Sequence, residues 1–160
     1  MKIEEIIIEF GIKIKFADLE KIRNLLDRQI ELESKGQGNG DTELMKLFCV
    51  QLFGFGAPGD ILRIWRAKSA SFDASVSIDV QLLCGAGLEA TKLYLRSRAE
   101  STAAEALSQI AKCESAGDFE HFDPELALSR YEAYYVEPEQ SVQSVQSPVS
   151  SEEPPQKKYE

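Results

Sequence analysis

Residues 42–53 read Thr-Glu-Leu-Met-Lys-Leu-Phe-Cys-Val-Gln-Leu-Phe, and residues 54–59 read Gly-Phe-Gly-Ala-Pro-Gly. The first stretch is apolar almost throughout, so it predicts a helix that belongs to the core of the protein. The second stretch predicts the end of that helix, because its glycines break helical structure and Pro58 suits the first turn of a new helix. An apolar helix followed by a turn is therefore the starting point for the predicted fold.

Helical patterns continue on both sides of this segment. Apolar residues from Leu19 to Leu32 recur at spacings of three and four, with charged residues between them, which is the pattern of an amphipathic helix. The predicted helices are 17–34, 42–53, 60–70, 71–83, 88–98, 102–116 and 123–135. Residues 3–10 fit a helix and a strand equally well. Because the helices are short and joined by turns containing Gly or Pro, the sequence predicts an all-α fold of stacked helical hairpins, of HEAT-like or irregular solenoid type, with an irregular bundle as the alternative.

A short internal similarity favours the stacked arrangement. Val50-Gln51-Leu52 recurs as Val80-Gln81-Leu82, and in the same register Arg66 aligns with Arg96. The alignment predicts two copies of a helical hairpin with their basic residues on one face. That face would hold an anionic ligand or pair with acidic helices, although basic residues also suit helix C-termini electrostatically. The basic cluster consists of Arg63, Arg66, Lys68, Lys92, Arg96 and Arg98. The residues expected in the core are Phe48, Phe53, Trp65, Leu82 and Leu93.

The chain divides into a predicted helical domain and a tail. Its 160 residues are enough for one domain with a hydrophobic core. We predict that residues 1–136 form this domain, with a flexible glycine-rich loop at 34–40. Residues 137–160 are rich in Ser, Gln, Pro and Glu and poor in apolar residues. A segment of this composition cannot bury enough apolar surface to offset its conformational entropy, so it is predicted to be a disordered tail.

Charge and composition exclude several classes of function. The formal net charge is −9 and the isoelectric point is about 4.8. Nucleic acid is therefore an unsuitable partner, because its phosphates must be neutralised by Lys and Arg. No stretch approaches the ~20 apolar residues of a membrane span, and glutamates interrupt the apolar N-terminus, so we predict neither a membrane segment nor a secretory signal. The three cysteines form no Cys-x-x-Cys pair, which favours buried thiols and a cytoplasmic location.

Catalysis and metal binding have little support in the sequence. The chain has a single histidine, His121, and lacks both a Gly-x-Ser-x-Gly nucleophile motif and a phosphate-binding glycine loop. The run from Asp118 to Asp123 surrounds this histidine with carboxylates, but it has neither the spacing of a calcium loop nor a second histidine for zinc. A nucleophilic pair of Cys84 and His121 is the one conceivable alternative. We predict no catalytic residue, no metal and no cofactor.

Acidic residues are concentrated near the end of the predicted domain. Residues 99–136 carry eight acids and two bases. This balance predicts a solvated acidic surface or, where aromatic side chains join it, a docking surface for a basic protein. Tyr131 and Tyr135 are four residues apart and so predicted to pack on the body, which leaves Phe122 and Tyr134 for exposure. The residues predicted to bind a partner are Glu114, Asp118, Glu120, Phe122, Glu125 and Tyr134.

Several segments between Arg63 and Tyr135 resemble a known group of proteins. They are Ile64-Trp65-Arg66-Ala67-Lys68, Phe72-Asp73, the run from Ser77 to Glu89, Cys113-Glu114-x-x-Gly117-Asp118-Phe119, and Tyr131-x-x-Tyr134-Tyr135. Together they resemble a family of small acidic bacterial α-helical proteins, some of which are similar to the immunity partners of polymorphic or contact-dependent toxins. The resemblance implies a cytosolic protein that neutralises a cognate toxin domain by direct binding. A helical adaptor or scaffold without a toxin partner, and an enzyme of unrecognised type, are the alternatives.

Overall fold

The computed structural model describes residues 1–136, and over this range the chain forms helices and no strands. The predicted all-α class is confirmed, and residues 3–10 are helical. The predicted tail, 137–160, lies outside the described residues. The helices are α1 (Ile3–Phe10), α2 (Leu19–Lys35), α3 (Thr42–Phe55), α4 (Ile61–Lys68), α5 (Phe72–Ser77), α6 (Leu88–Arg96), α7 (Ser101–Ser115) and α8 (Pro124–Val136). Short 3-10 turns occupy Phe16–Asp18, Pro58–Asp60 and Val80–Leu83.

Helix α3 is the centre of the fold. Asp41 begins it by accepting hydrogen bonds from the backbone N–H groups of Glu43 (3.0 Å) and Leu44 (3.1 Å). From Leu44 to Phe53 every residue except Lys46 is buried. The helix contacts α1, α2, α4, α5 and α8, and a helix covered on so many sides has to be apolar around most of its circumference. The arrangement is therefore an irregular bundle around one buried helix.

The two copies of the internal similarity have different structures. Val50-Gln51-Leu52 lies inside α3, whereas Val80-Gln81-Leu82 lies in a 3-10 turn. The helix predicted for 71–83 is broken after Ser77, because Ile78 and Asp79 have extended backbones (ψ 112° and 143°). The break lets the apolar side chains of this segment reach the core, where Ile78 is fully buried. The prediction of two equivalent hairpins is therefore wrong.

Most of the predicted core is buried. Phe48, Phe53 and Leu82 are at most 2% exposed, and Trp65 is half-buried against the core. The prediction for Leu93 is wrong, since its side chain is 68% exposed. Helix α6 buries Thr91 and Leu95, which are four residues apart on one face, and Leu93 lies between them on the opposite face.

The basic cluster does not form one surface. Arg63 and Arg66 project from α4 toward α2, where both pair with Asp27 at 2.9 and 3.1 Å. Arg63 also contacts the buried carboxylate of Asp60 at 2.6 Å, and Arg23 of α2 donates two hydrogen bonds of 2.8 Å to the same carboxylate. These arginines join α2 to α4, so the ion pairs form with α2 rather than with the acidic helices near the end of the domain.

The remaining basic residues of the cluster have separate surroundings. Arg98 pairs with Glu100 at 3.1 Å, and Arg96 is exposed on α6. Lys92 pairs with Glu114 of α7 at 2.9 Å. Lys68 donates hydrogen bonds to two backbone carbonyls at the end of α5. The expected alignment of Arg66 with Arg96 on one face is therefore wrong, because it depended on the two equivalent hairpins.

The glycine-rich loop at 34–40 is attached to the body by one buried carboxylate. Glu33 is 1% exposed. It accepts hydrogen bonds from the backbone N–H groups of Gly38 (3.1 Å) and Gly40 (2.9 Å) and from the hydroxyl of Ser71 (2.6 Å). Ser71 in turn begins α5 by accepting a hydrogen bond from Ala74. Glu33 thus connects the loop to the start of α5, where Gln37 of the loop also accepts a hydrogen bond of 3.1 Å from the N–H group of Asp73.

Candidate functional site

A groove of about 570 Å³ lies between α8 and the segment 116–123 that precedes it. We refer to it as the α8 groove. Asp118, Glu120 and Phe122 line it from the preceding segment, and Arg130 and Tyr134 line it from α8. Four of the six residues predicted to bind a partner thus lie in one concave surface: Asp118, Glu120, Phe122 and Tyr134.

The acidic wall of the groove begins where α7 ends. Gly117 has a left-handed backbone (φ 94°), and its N–H group bonds to the carbonyl of Glu114 at 3.1 Å. The N–H group of Asp118 bonds to the carbonyl of Cys113 at 2.9 Å, which completes a helix-ending motif of the Schellman type. Gln81 donates a hydrogen bond of 2.8 Å to the Asp118 carbonyl. This backbone is therefore fixed both to α7 and to the 3-10 turn at Val80–Leu83.

Two aromatic residues and a strained turn carry the chain from the acidic wall into α8. Phe119 is buried, and its ring meets Phe122 edge-to-face with centroids 5.4 Å apart. His121 has a positive φ of 60°, a backbone conformation that residues other than glycine rarely adopt. The carboxylate of Asp123 then accepts a hydrogen bond of 2.9 Å from the N–H group of Leu126, which caps α8.

The opposite wall of the groove depends on a tyrosine of α8. The Tyr131 hydroxyl donates a hydrogen bond to the carboxylate of Asp79. Burial, reinforced by this negative partner, raises the pKa of Tyr131, so the hydroxyl keeps its proton at ordinary pH. The ammonium group of Lys46 lies 5.8 Å from the centre of the Tyr131 ring, within the range of a cation–π contact. This cluster connects α8 to α3 and to the break after α5.

The aromatic side chains of the last turns divide between core and solvent. Tyr134 and Tyr135 meet edge-to-face with ring centroids 5.0 Å apart. Tyr134 is 63% exposed, while Tyr131 and Tyr135 pack against the core, as their spacing predicts. Phe122 is half-buried. An exposed tyrosine ring held in place by a packed neighbour suits contact with another protein, because it buries a large area at a small entropic cost.

The carboxylates of the groove have different tasks. Asp79 and Asp123 already accept hydrogen bonds from Tyr131 and from the start of α8. The side chains of Asp118 and Glu120 are exposed. Four carboxylates face the groove, whereas Lys46 and Arg130 are the only lysine and arginine that line it among the described residues. The groove therefore presents a net negative surface with two accessible carboxylates, which suits a cationic ligand or a basic protein.

The other two residues predicted to bind a partner lie outside the α8 groove. The carboxylate of Glu114 is 2.9 Å from the ammonium group of Lys92. Glu125 lies on another side of α8, where it lines a second cleft of about 550 Å³ together with Ile14, Phe55 and Leu128. A docking surface that contained all six residues would have to extend beyond the groove on both sides.

Sequence reasoning did not assign most residues of the groove to partner binding, and three charged ones illustrate why. Lys46, Asp79 and Arg130 line it but were not predicted to bind. Arg130 has a weak local signal, since it lies four residues before Tyr134 on the same helix. Lys46 is the single charged residue inside the apolar stretch of α3, which could have marked it as the edge of a surface. Asp79 has no such signal, because its partner Tyr131 is 52 residues away in the sequence.

The conceivable pair of Cys84 and His121 does not have the geometry of a catalytic pair. Cys84 is fully buried, and burial raises the pKa of its thiol to about 12. His121 is exposed at the rim of the groove. In the part of the chain that the structure describes, no three His, Cys, Asp or Glu side chains are grouped to hold a metal ion. None of the helices between residues 1 and 136 has the length and apolar character needed to cross a membrane.

Comparisons with models of protein families, with curated proteins and with solved structures found no match to the chain.

Proposed function

We propose that the chain is a non-catalytic protein-binding module that docks a basic protein through the α8 groove. The observation that carries the proposal is the convergence of Asp118 and Glu120 with Phe122 and Tyr134 in one concave surface. Exposed carboxylates would steer a basic partner toward the groove and exclude acidic ones. The aromatic rings would supply the apolar contact area that dominates binding energy at protein interfaces.

We further propose that the partner is a toxin domain and that the chain acts in the cytoplasm as its immunity protein. Support comes from the resemblance carried by the segments between Ile64 and Tyr135, and from the net charge of −9. A toxin domain that acts on nucleic acid needs a basic working surface. An acidic immunity protein would cover that surface with complementary charge, and electrostatic steering would make the association fast.

A helical adaptor is the second candidate, and an exposed aromatic pair on another surface favours it. Phe16 is 79% exposed and its ring centroid lies 6.3 Å from that of Phe55, which lines the second cleft beside α8. A protein with two separate apolar surfaces can hold two partners at once. The number of stoichiometric partners therefore distinguishes an adaptor from an immunity protein.

The test compares two variants with the same change in charge. Asp118→Lys with Glu120→Lys reverses the accessible carboxylates of the groove, whereas Glu9→Lys with Glu105→Lys reverses two exposed carboxylates elsewhere. Tagged full-length chains are used to capture partners from the source cells at low and at moderate salt, and the retained proteins are identified by mass spectrometry. We expect one basic partner, retained by the natural chain and by the remote control variant.

Binding kinetics and a growth assay complete the test. With the purified partner, the groove variant should associate about tenfold more slowly and with a weaker dependence on salt, while its circular dichroism stays unchanged. Expression of the partner domain should arrest growth, and the natural chain should restore it. Equal association rates for the two variants would reject the groove as the docking surface, and a partner that is harmless to cells would reject the immunity role.

A further inference from the structure

Helix α8 is the one α-helix between residues 1 and 136 that has no buried residue. Each of α1 to α7 contains at least one buried residue, and even the six-residue helix α5 buries Ala74. Helix α8 has thirteen residues and none of them is buried. Its main helical contact is with α3. Its apolar contacts with the body are made by four partly buried side chains, those of Ala127, Leu128, Tyr131 and Tyr135, and partly buried contacts hold a surface helix less firmly than fully buried ones.

Open space lies on two sides of α8. The α8 groove, of about 570 Å³, is lined by Leu126, Arg130 and Tyr134. The second cleft, of about 550 Å³, is lined by Glu125 and Leu128. The helix therefore packs mainly on α3, and a cleft borders it on each of two sides.

Two residues of α8 make the specific contacts that hold it on the body, and one of them, Tyr131, also has the ammonium group of Lys46 of α3 5.8 Å from its ring centre. Tyr131 donates its hydroxyl hydrogen to Asp79. Leu128 lies directly over Gly54 of α3, and a Cβ atom built at Gly54 would be 3.1 Å from a methyl carbon of Leu128. A third residue of α8 disfavours the position of the helix on α3, because the hydroxyl of Tyr135 is buried without a hydrogen-bond partner among the described residues. Such a hydroxyl would regain hydrogen bonds to water if the helix moved away.

We propose that α8 is a detachable clasp, which separates from α3 while the rest of the bundle stays folded. The acidic wall of the groove does not move with it, because hydrogen bonds fix Asp118 to Cys113 of α7 and to Gln81. The opposite wall, with Arg130 and Tyr134, travels with the clasp. The α8 groove accordingly has a narrow closed form and a wider open form. That the open form admits the partner rests on the proposed function, whereas the clasp is a property of the free chain.

Hydrogen exchange of the full chain, without any partner, tests the clasp. We expect the amides of 127–135 to exchange through an opening of low free energy with a small denaturant slope, because only the contact between α8 and the body is exposed, while the amides of α3 exchange only through unfolding of the whole bundle, with its much larger slope. Two conservative variants should shift the opening in opposite directions. Tyr131→Phe removes the bond to Asp79 and should raise the opening constant of α8 by about tenfold or more. Tyr135→Phe removes the unpartnered hydroxyl and should lower it.

A matched control and two contrary results make the test decisive. Tyr134→Phe changes an exposed hydroxyl on the same helix and should leave exchange of α8 unchanged. If α8 and α3 exchange with the same free energy and the same denaturant dependence, the clasp does not exist. Protection that declines steadily from Pro124 toward Val136, with the first turn of α8 as protected as α3, would show fraying of a helix end and would also overturn the proposal. Neither result depends on finding a partner, so the clasp and the proposed function can fail separately.

Discussion

At Gly85 the chain passes so close to the end of α3 that a side chain has no room. A Cβ atom built there would overlap the carbonyl oxygen of Phe53, and neither backbone can shift easily because Phe53 and the preceding Cys84 are buried. We expect Gly85→Ala to lower the free energy of unfolding by about 3 kcal/mol, the upper end of the usual range for overpacking.

The control for this prediction is Gly59→Ala. No atom lies within 4 Å of a Cβ built at Gly59, and its backbone does not require a positive φ. That substitution should change the free energy of unfolding by less than about 1 kcal/mol. Urea denaturation of both variants measures the difference, and an equal loss in the two would show that Gly85 is not a point of close packing.

The buried carboxylate of Glu33 predicts a specific dependence of stability on pH. Hydrogen bonds from Ser71, Gly40 and Gly38 lower the pKa of Glu33 below its ordinary value of 4.5 in the folded chain. The ionised form therefore stabilises the fold at pH values above the unfolded pKa, and this stabilisation is lost as the pH falls through the folded pKa. We expect Glu33→Gln to lower the free energy of unfolding at pH 7 by about 1–3 kcal/mol, with a smaller difference at pH 3.

Glu31→Gln is the matched control, because Glu31 lies on the same helix and is exposed. Urea denaturation at both pH values should show little effect of that substitution. A loss for Glu33→Gln that is the same at pH 3 as at pH 7 would contradict the assigned ionisation.

At the level of single residues, helix ends could be predicted where the interacting residues are close together in the sequence. Gly117 ends α7 and Asp123 caps α8, and both were predictable because each acts within five residues. The exposure of Leu93 was not predictable from its apolar character, because a nine-residue helix can cover only one face. The hydrogen bond between Tyr131 and Asp79 could not be predicted from the sequence, since only the fold brings the two residues together.

Among the elements, the junction of α2 and α4 carries the strongest electrostatic prediction. Asp60 is 1% exposed, and two arginines, Arg23 and Arg63, converge on its carboxylate. Asp60→Asn would remove the negative charge that both guanidinium groups share, and would leave Arg63 paired with Asp27 and Arg23 paired with Glu20. We expect a loss of about 2–3 kcal/mol in the free energy of unfolding, because part-buried hydrogen bonds to a charged group are lost.

The neighbouring exposed pair provides the control for Asp60. Arg66 is half-exposed and contacts Asp27 at 3.1 Å, so Arg66→Ala should cost less than about 1 kcal/mol. Thermal unfolding monitored by circular dichroism compares the two variants. A loss for Asp60→Asn no larger than that for Arg66→Ala would show that the junction depends on apolar packing alone.

The existence of most helices followed from hydrophobic spacing, but the break after α5 did not. Residues 71–83 contain neither Gly nor Pro, so no local signal interrupts the predicted helix. In the structure, Lys68 donates hydrogen bonds of 2.6 Å to the carbonyls of Ser75 and Ile78. The ammonium group of Lys68, which belongs to α4, thus supplies hydrogen bonds to carbonyl groups at the end of α5. The chain can therefore leave the helix there and turn toward the core. A tertiary contact of this kind overrides local propensity.

Over the whole molecule, the hydrophobic core, the ion pairs at α2 and the α8 groove all lie between Met1 and Val136. We expect a chain that ends at Val136 to unfold with the same urea midpoint and the same slope as the full chain, because the slope reports the surface exposed on unfolding. A lower midpoint for the shortened chain would show that residues 137–160 stabilise the fold.

One of the two walls of the groove could be predicted from the sequence. Its acidic wall is a contiguous run near Asp118, so charge and composition were enough to locate it. The opposite wall combines residues from α3, α8 and the segment after α5, and their proximity depends on the irregular path of the bundle. A sequence without a regular repeat offers no rule for deriving such a path.

The different burial of the three thiols gives the chain a natural attachment point for a spectroscopic reporter. Burial raises the pKa of all three thiols, but Cys49 and Cys84 are fully enclosed whereas Cys113 is only half-buried and can be reached by a reagent. Thiolates are the species that react with maleimides, so a mildly alkaline pulse should label Cys113 first. That position lies at the last turn of α7, directly before the acidic wall. A fluorophore placed there could therefore monitor the groove continuously, with no cysteine added or removed.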